Sequence, residues 1–400
     1  MKIGILREEK NPSDERVAFT PKQCKWILEN TILTLVVQKS DIRCFSDEEY
    51  RNEGIELVDS VDDCDVLIGI KEIPKCSLLE NKKYFYFSHT IKEQPYNRDL
   101  LKKMLDLNIE MVDYEALKGS NNKRLLGFGR YAGIVGAYNG LLTYGLKSGK
   151  YNLKAAYKCI DREEVDREIE KISLTNEKII LTGKGRVANG ALEVLSSAKI
   201  KEVSKEDFII NTYDESVFCR LDTMDYNVRI DGSDSEKYDF YNNPEKYKSS
   251  FMKYAKHANL FIAGHFYSVG SPFLFTREDA NSSDFNIRVV ADISCDIDGP
   301  VASTIRSSTI KNPIYGYNPI TEKEDNFTTD GVVAVMAVDN LPCELPKDAS
   351  EGFGELFLDH VIPAFFNDDQ DAILSRAKMT SDCVLTSRYS YLQNYIEGKE

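Results

Sequence analysis

The first third of the chain alternates short apolar runs with segments in which apolar residues recur at helical spacing. The runs that predict strands are residues 2–6, 33–38, 65–70, 83–88 and 109–113. Between them, residues 20–30 and 47–53 predict helices, and Thr20 is the expected N-cap of the first, with Pro21 at its first position. Strands that alternate with helices at this spacing indicate a parallel sheet in an α/β domain.

The pattern changes at Tyr131. Residues 131–148 predict a helix with small residues on one face, where another helix or a cofactor can approach, and we interpret it as the crossing into a second domain. An apolar run at 177–182 opens a second strand–helix series. Later strands are predicted at 260–263 and 288–292, and residues 332–338 begin either a strand or a helix. The stretch 214–247, rich in Asp, Tyr and Asn, is interpreted as a long irregular insertion.

Charge and cysteine usage narrow the function classes. The 400 residues carry 51 Lys and Arg against 65 Asp and Glu, a formal net charge of −14, which disfavours binding to nucleic acid. The apolar runs are too short to span a bilayer, and the N-terminal segment has no signal-peptide pattern. The nine cysteines are scattered singly without metal-binding spacing. We therefore expect a cytoplasmic protein with reduced thiols and no metal, either a monomer or a small homo-oligomer.

The segment around residues 178–192 carries the clearest chemical motif. An apolar strand leads into Gly183-x-Gly185-x-x-Ala188 and then into a helix, which is the pattern of a dinucleotide-binding turn with Ala at its third position. Gly183 permits the tight turn, Gly185 lets a pyrophosphate approach the backbone, and the helix N-terminus offers N–H donors. Arg186 follows Gly185 and completes the cofactor-binding residues predicted in this turn.

The choice between NAD and NADP stays open at this stage. The motif leads us to expect an acidic residue some twenty positions on, where it would bind the ribose hydroxyls. The chain instead has Ser204 followed by Lys205 at the expected strand end. This pair is compatible with a 2′-phosphate, with ribose hydroxyls, or with a plain solvated loop. Ser204 is therefore a candidate cofactor-binding residue that does not decide between NAD and NADP.

Two titratable side chains follow predicted strands of the first domain. Lys71 comes at the end of the strand at 65–70, and His89 follows the strand at 83–88. Ligands of open parallel sheets bind outside the carboxyl ends of the strands. Burial or neighbouring cations lower the pKa of a lysine, and histidine titrates near neutrality. Lys71 and His89 are therefore candidates for an acid–base pair in one crevice.

Several motifs, in this order, resemble the saccharopine dehydrogenases. They are the Arg-Val-Ala-Phe-Thr-Pro start at 16–21, Gly-Ile-Lys-Glu-Ile-Pro at 69–74, Phe-Ser-His-Thr-Ile-Lys-Glu-Gln at 87–94, Gly-Phe-Gly-Arg-Tyr-Ala-Gly at 127–133 and the glycine turn. This family is similar to alanine dehydrogenases and to the α-subunit of nicotinamide nucleotide transhydrogenase. The segments 291–300 and 338–346 resemble the lysine–ketoglutarate reductase half of the bifunctional lysine-degrading enzyme.

The resemblance implies a fold and a division into domains. It implies an α/β fold in which two Rossmann-like domains with parallel sheets flank a cleft. Residues 1–130 and 340–400 would form the catalytic and substrate domain, similar to the N-terminal domain of alanine dehydrogenase. Residues 131–339 would form the dinucleotide-binding domain. The last sixty residues, expected to be mostly amphipathic helix, would return to the first domain.

The resemblance also implies roles for single residues. Lys71 and His89 match the acid–base pair of the lysine-forming saccharopine dehydrogenases. Their substrate-carboxylate contacts are matched by Arg16, Lys92 and Arg124. Asp296 matches an aspartate near the nicotinamide of alanine dehydrogenases. Asp339 would help to orient the cofactor or the substrate.

The implied function is an NAD(P)-dependent oxidation of saccharopine to lysine and 2-oxoglutarate, or its reverse. One departure bears on substrate specificity, because residues 265–272 begin with His265 where reductase relatives carry a Trp. His257 and His360 have no motif around them and are interpreted as structural. Two alternatives remain: an amino acid dehydrogenase resembling alanine dehydrogenase, and a nicotinamide-nucleotide-binding protein without catalysis. A complete transhydrogenase is not expected, since no proton-channel segment is present.

Overall fold

The structure is a computed structural model that describes residues 1–10 and 13–399. Two compact units divide the chain: residues 1–128 together with 346–400, and residues 129–345. A catalytic role for the first and a dinucleotide-binding role for the second stay predictions. Within the described part of the chain, no helix combines the length and apolar composition that crossing a bilayer requires.

The first unit is built on a parallel sheet. Its elements, in chain order, are Lys2–Ile5 (β1), Pro21–Asn30 (α1), Thr34–Gln38 (β2), Asp47–Asn52 (α2), Glu56–Val58 (β3), Val66–Lys71 (β4), Lys83–Phe87 (β5), Arg98–Asp106 (α3) and Glu110–Asp113 (β6). The strand order is β3-β2-β1-β4-β5-β6, and every neighbouring pair is parallel. The central strands are buried on both faces, which explains their continuous apolar runs.

The start of α1 follows from its sequence. The Thr20 side chain accepts a hydrogen bond from the Gln23 amide at 3.3 Å, and the Gln23 side chain accepts one from the Thr20 amide at 2.9 Å. Pro21, at the first helical position, has no N–H to satisfy there. The predicted cap is therefore confirmed, as a reciprocal capping box.

The second unit contains the larger sheet. Its elements are Gly129–Ser148 (α4), Arg162–Ile169 (α5), Lys178–Thr182 (β7), Arg186–Ser197 (α6), Lys201–Glu202 (β8), Lys205–Ile210 (α7), Val217–Leu221 (β9), Thr223–Tyr226 (α8), Asn227–Arg229 (β10), Lys237–Asn242 (α9), Tyr247–Ser249 (β11), Met252–Ala255 (α10), Leu260–Ala263 (β12), Arg277–Ala280 (α11), Val289–Asp292 (β13), Ile314–Asn318 (β14), Lys323–Asp325 (β15) and Val333–Met336 (β16). The sheet order is β15-β14-β16-β13-β12-β7-β9-β8.

Two predictions for this unit need correction. The sheet is mixed rather than parallel, because β14 pairs antiparallel with both β15 and β16. A short turn joins β14 to β15, and such a hairpin needs no crossover helix. The stretch 214–247 is not an irregular insertion throughout, since β9 lies in it and pairs with β7 along its whole length.

The small residues of α4 allow a close helix contact, as the sequence predicts. A Cβ atom on Gly133 would overlap the carbonyl oxygen of Val187 in α6, and one on Gly190 would overlap the carbonyl oxygen of Arg130. The backbones of α4 and α6 therefore touch at both points. The small-residue face of α4 was expected to admit another helix or a cofactor, and in the structure the helix α6 approaches it.

The C-terminal segment packs within the first unit. Its elements are Pro346–His360 (α12), Ile373–Ala377 (α13), Thr380–Ser381 (β17), Val384–Leu385 (β18) and Gln393–Glu397 (α14). Of these elements, α12 is the one long helix. The expectation of mostly amphipathic helix therefore holds for the first part of the C-terminal segment alone. Phe353 of α12 stacks on Phe128 with ring centroids 4.8 Å apart, and Phe357 meets Phe19 edge-on at 5.0 Å.

Candidate functional site

Lys71 and His89 lie at the ends of adjacent parallel strands in the first unit. Lys71 is the last residue of β4, and its register partner in β5 is Phe87. The Lys71 Nζ atom lies 5.9 Å from the centroid of the Phe87 ring, and the His89 ring stacks on the same ring at 6.2 Å. The structure thus brings both predicted residues to one aromatic side chain. We call this site, with its charged neighbours, the strand-end cluster.

The backbone holds His89 in an unusual conformation. Its φ angle is 56°, in the left-handed region that residues other than glycine seldom adopt. The flanking Ser88 and Thr90 are fully buried. Both the amide and the hydroxyl of Ser88 donate to a carboxylate oxygen of Asp113, at 2.9 and 2.5 Å. These bonds fix the turn that carries the imidazole, as is common for strained residues at functional sites.

Burial and neighbouring positive charges lower the pKa values of Lys71 and His89. Burial, followed by the charges of Arg16 and Lys10, lowers the pKa of Lys71. Burial also lowers the pKa of His89 to about 4, and the positive charges of Lys92 and Lys71 add to the effect. At neutral pH, His89 is therefore an uncharged base, and Lys71 is an amine that releases its proton more readily than a solvated lysine.

The strand-end cluster also contains acids that no sequence motif predicts. Asp14 accepts two bonds from the guanidinium of Arg16, at 2.9 and 2.5 Å, and both side chains are buried. Glu115, also buried, lies 3.0 Å from the Arg124 Nη2 atom and 3.6 Å from the Lys92 Nζ atom. Each predicted substrate-binding cation therefore contacts a carboxylate of the chain. Asp14 and Glu115 lie outside the motifs that the sequence offers, so only the folded chain reveals these pairs.

Two further acids complete the strand-end cluster. Glu72 contacts the Lys10 Nζ atom at 2.5 Å, and Glu8 is buried below the end of β4. Burial raises the pKa of Glu8 to about 8. Glu8 is therefore mostly protonated at neutral pH. The cations of the cluster are Lys10 and Arg16 near Lys71, and Lys92 and Arg124 near His89 and Glu115.

The glycine turn of the second unit borders a cavity of about 640 Å³. Gly183, Gly185 and Arg186 line it, and α6 begins at Arg186. Gly183 has a φ angle of 99°, and a Cβ atom there would lie 2.6 Å from the carbonyl oxygen of Gly264. Nothing lies within 4 Å of a Cβ atom on Gly185, so the space above this residue is open. Turn, helix N-terminus and cavity size fit a dinucleotide.

The strand order places an acid where the sequence did not lead us to expect one. In the sheet β7 lies between β12 and β9 and does not pair with β8, and Asp222 follows β9 directly. Asp222 lines the cavity, whereas Ser204 is an exposed residue that caps α7 at the sheet edge. The Asp222 carboxylate lies 3.0 Å from the Lys237 Nζ atom and 3.9 Å from the Lys184 Nζ atom. Asp222 thus holds the position that the motif assigns to an acid at the end of the adjacent strand.

The remaining candidates lie in different surroundings. Asp296 lines the cavity, and burial raises its pKa. Ala188 is fully buried in α6. Asp339 is an exposed residue beyond β16, outside the lining that the described residues give this cavity. His265, which also lines the cavity, hydrogen-bonds Thr182 through Nδ1 at 2.8 Å.

Among residues 1–10 and 13–399, no three His, Cys, Asp or Glu side chains are grouped to hold a metal ion.

Comparisons with known proteins agree with the sequence resemblance. Residues 4–135 match the family described as "Alanine dehydrogenase/PNT, N-terminal domain". The chain is 29% identical to the alpha-aminoadipic semialdehyde synthase of Arabidopsis thaliana, over 98% of this chain and 41% of that protein. Its identity to the mitochondrial enzyme of that name in Mus musculus is 26%, over 100% of this chain and 48% of that protein. The chain thus spans less than half the length of these relatives.

Other relatives match along nearly their whole length. The L-lysine-forming NAD(+) saccharopine dehydrogenase of Yarrowia lipolytica is 25% identical, over 88% of this chain and 89% of that protein. A solved L-alanine dehydrogenase superposes with a TM-score of 0.68 at 15% identity, and each chain is covered completely. A transhydrogenase from Sinorhizobium meliloti gives a TM-score of 0.53 at 11% identity, with 96% and 99% covered. The resemblance to saccharopine and alanine dehydrogenases is confirmed, and so is a fold of two Rossmann-type units.

Proposed function

We propose that this chain, as a relative of the saccharopine and alanine dehydrogenases, is an NAD(P)-dependent oxidoreductase that acts on the CH–NH bond of saccharopine. In the oxidative direction saccharopine, NAD(P)+ and water give lysine, 2-oxoglutarate, NAD(P)H and a proton. The bound nicotinamide supplies the redox chemistry by accepting the hydride. In the reverse direction the same residues serve a reductive condensation.

The observation that carries the proposal is the pairing of Lys71 with His89 at one aromatic ring, each with a lowered pKa. Hydrolysis of the imine that hydride loss leaves behind requires a base and an acid. His89, uncharged at neutral pH, accepts the proton of the attacking water. Lys71 in its ammonium form donates a proton to the departing amine. A protein that only binds the dinucleotide would need neither group.

The cations around this pair favour saccharopine over alanine as the substrate. Saccharopine carries three carboxylates, and charge-assisted bonds from Arg16, Lys92 and Arg124 match them. Lys92 and Arg124 both contact the carboxylate of Glu115, and both side chains are half-exposed, so a ligand from solvent can reach them. A substrate with one carboxylate would leave most of these donors unused.

The cavity of the second unit would hold the dinucleotide. The glycine turn and the N-terminus of α6 would bind the pyrophosphate, and Asp222 would accept hydrogen bonds from the ribose hydroxyls. Lys184 and Lys237 beside Asp222 also offer positive charge to a 2′-phosphate. Either NAD or NADP therefore fits. Asp296, which lines the same cavity, is the acid that the resemblance to alanine dehydrogenases places near the nicotinamide.

The test is a cofactor-oxidation assay with a panel of 2-oxo acids and amines, run separately with NADH and NADPH. We expect NADH or NADPH to be oxidised when lysine and 2-oxoglutarate are both present, with saccharopine as the product. Oxidation of the cofactor with pyruvate plus ammonia instead would favour an alanine-dehydrogenase-like enzyme. Dinucleotide binding without oxidation of any pair would favour the non-catalytic alternative. A cytoplasmic location stays a prediction, as the mammalian relatives carry the word mitochondrial in their names.

A further inference from the structure

The buried carboxyl group of Glu8 joins two peptide groups at the end of β4. Its Oε1 atom accepts a hydrogen bond from the Ile70 amide at 2.6 Å, and its Oε2 atom accepts one from the Lys71 amide at 2.9 Å. Glu8 follows β1, the strand next to β4, and it is only 9% exposed. One side chain thereby fixes two successive amides, the second of which belongs to Lys71.

These amides lie where the sheet ladder is irregular. Between β4 and β5, Ile68 pairs with Phe85 but Lys71 pairs with Phe87, so β4 contains one extra residue. A bulge of this kind changes the direction of the side chains that follow it and leaves backbone groups without ladder partners. Gly69 gives the carboxyl group room, because a Cβ atom there would lie 3.3 Å from the Glu8 Oε1 atom. Glu8 thus supplies the bonds that the ladder lacks.

We propose that Glu8 is the positioning residue for Lys71, holding the bulge of β4 so that the amine stays in its partly buried place beside Phe87. The inference rests on the proposed function for its catalytic consequence, but not for the position of Lys71 itself. Glu8 acts through the backbone: the charged groups that face it are Asp14 and Arg16, whereas those that face Lys71 are Arg16, Lys10, Asp14 and Glu72.

The direction in which the pKa of Lys71 changes when Glu8 is replaced separates a positioning role from a simple charge effect. Burial is the largest cause of the low pKa of Lys71. If Glu8 positions the amine, loss of its bonds lets Lys71 move towards solvent, and the pKa of Lys71 rises. If Glu8 acted only as a nearby negative charge, its removal would lower that pKa. A purely structural role would leave the pKa unchanged.

The experiment uses the Glu8→Gln variant of the full chain. The amide has one acceptor oxygen, so only one of the two peptide N–H groups keeps a partner. The pH dependence of Lys71 acetylation by acetic anhydride, followed by mass spectrometry, gives the midpoint for this amine without any substrate. We expect the midpoint to move to higher pH and turnover to fall about 10- to 100-fold, as for a buried donor left unpaired. Glu9→Gln, whose exposed carboxylate contacts Arg7 and Ser77, is the matched control and should change neither.

A second variant tests the same contact from the other side. Gly69→Ala would press a methyl group against the Glu8 carboxyl group and should move the Lys71 midpoint in the same direction by less. An unchanged or lowered midpoint in folded Glu8→Gln overturns the proposal. So does failure of that variant to fold together with an unchanged midpoint in Gly69→Ala. A raised midpoint in a chain that shows no saccharopine turnover supports positioning and counts against the proposed function alone.

Discussion

The two units use the carboxyl ends of their parallel strands in different ways. In the second unit β7 ends at Thr182 and α6 begins at Arg186, so a short glycine turn presents backbone amides to the cavity. In the first unit β1 ends at Ile5 and α1 begins only at Pro21. The longer connection carries Glu8, Asp14 and Arg16 into the strand-end cluster. One sheet edge thus offers peptide groups to a ligand, and the other offers ionisable side chains.

This difference suggests a division of labour that substitutions can separate. A change in the strand-end cluster should affect proton transfer and leave dinucleotide affinity intact. A change at the glycine turn should affect dinucleotide affinity and leave the pKa of Lys71 intact. The comparison fails if either kind of substitution alters both properties to a similar extent.

The largest effect is expected from Lys71→Met, which removes the proposed acid but keeps a side chain of similar length. Turnover should fall about 1,000-fold, within the range of general acid–base catalysis, and His89→Gln should have an effect of about 100-fold. Dinucleotide affinity, measured by fluorescence titration, should stay within a factor of two of the wild type. The control is Lys75→Met, since Lys75 is an exposed lysine near Asp99. Wild-type turnover in both site variants would refute the acid–base assignment.

Buried His265 and partly buried His89 both have lowered pKa values, and His265 allows a test of stability. Burial alone lowers the pKa of His265 to about 4, whereas charges add to the effect at His89. Between pH 6.5 and pH 4 the unfolded chain therefore binds a proton that folded His265 does not, so stability falls on acidification. The expected loss from this residue is about 3 kcal/mol. Urea unfolding of His265→Asn should lack that part of the loss, while replacement of the exposed His360 by Gln should not change it. Equal acid sensitivity in wild type and His265→Asn would contradict the argument.

The glycine turn should respond according to the space at each position. Gly185→Ala adds a methyl group to open space, so the fold should persist while the pyrophosphate loses its close approach. We expect dinucleotide affinity to fall about 10- to 100-fold, by calorimetry, and the melting temperature to stay near the wild-type value. Gly183→Ala should lower both, because its Cβ atom would meet the Gly264 carbonyl oxygen. Unchanged affinity in Gly185→Ala would remove the turn from the cofactor site.

The smallest effect is expected at the ribose position. Asp222→Asn removes the carboxylate that would repel a 2′-phosphate, while Lys184 and Lys237 remain. The ratio of NADP to NAD affinity should rise about tenfold, which corresponds to 1.4 kcal/mol. Lys237→Met should change the ratio in the opposite direction. If neither variant alters the ratio, these residues do not select the cofactor.

Sequence reasoning succeeded where the signal is local. The Thr20 cap depends on residues within one turn, and Lys71 and His89 could be paired because consecutive strands of such a sheet are usually neighbours. It failed at Asp222, because the exchange of β8 and β9 in the sheet order is a long-range property. The pairing of Glu115 with Lys92 and Arg124 likewise depends on side-chain packing that no spacing rule encodes.

The sharpest test of the proposed reaction follows deuterium from the cofactor to the product. The chain is incubated with lysine, 2-oxoglutarate and NADH or NADPH that carries deuterium at both C4 positions, and the product is analysed by mass spectrometry. We expect saccharopine with one deuterium on the carbon that joins the 2-oxoglutarate portion to the amine nitrogen, and loss of this product in Lys71→Met. Labelled alanine from pyruvate and ammonia, with no labelled saccharopine, would contradict it.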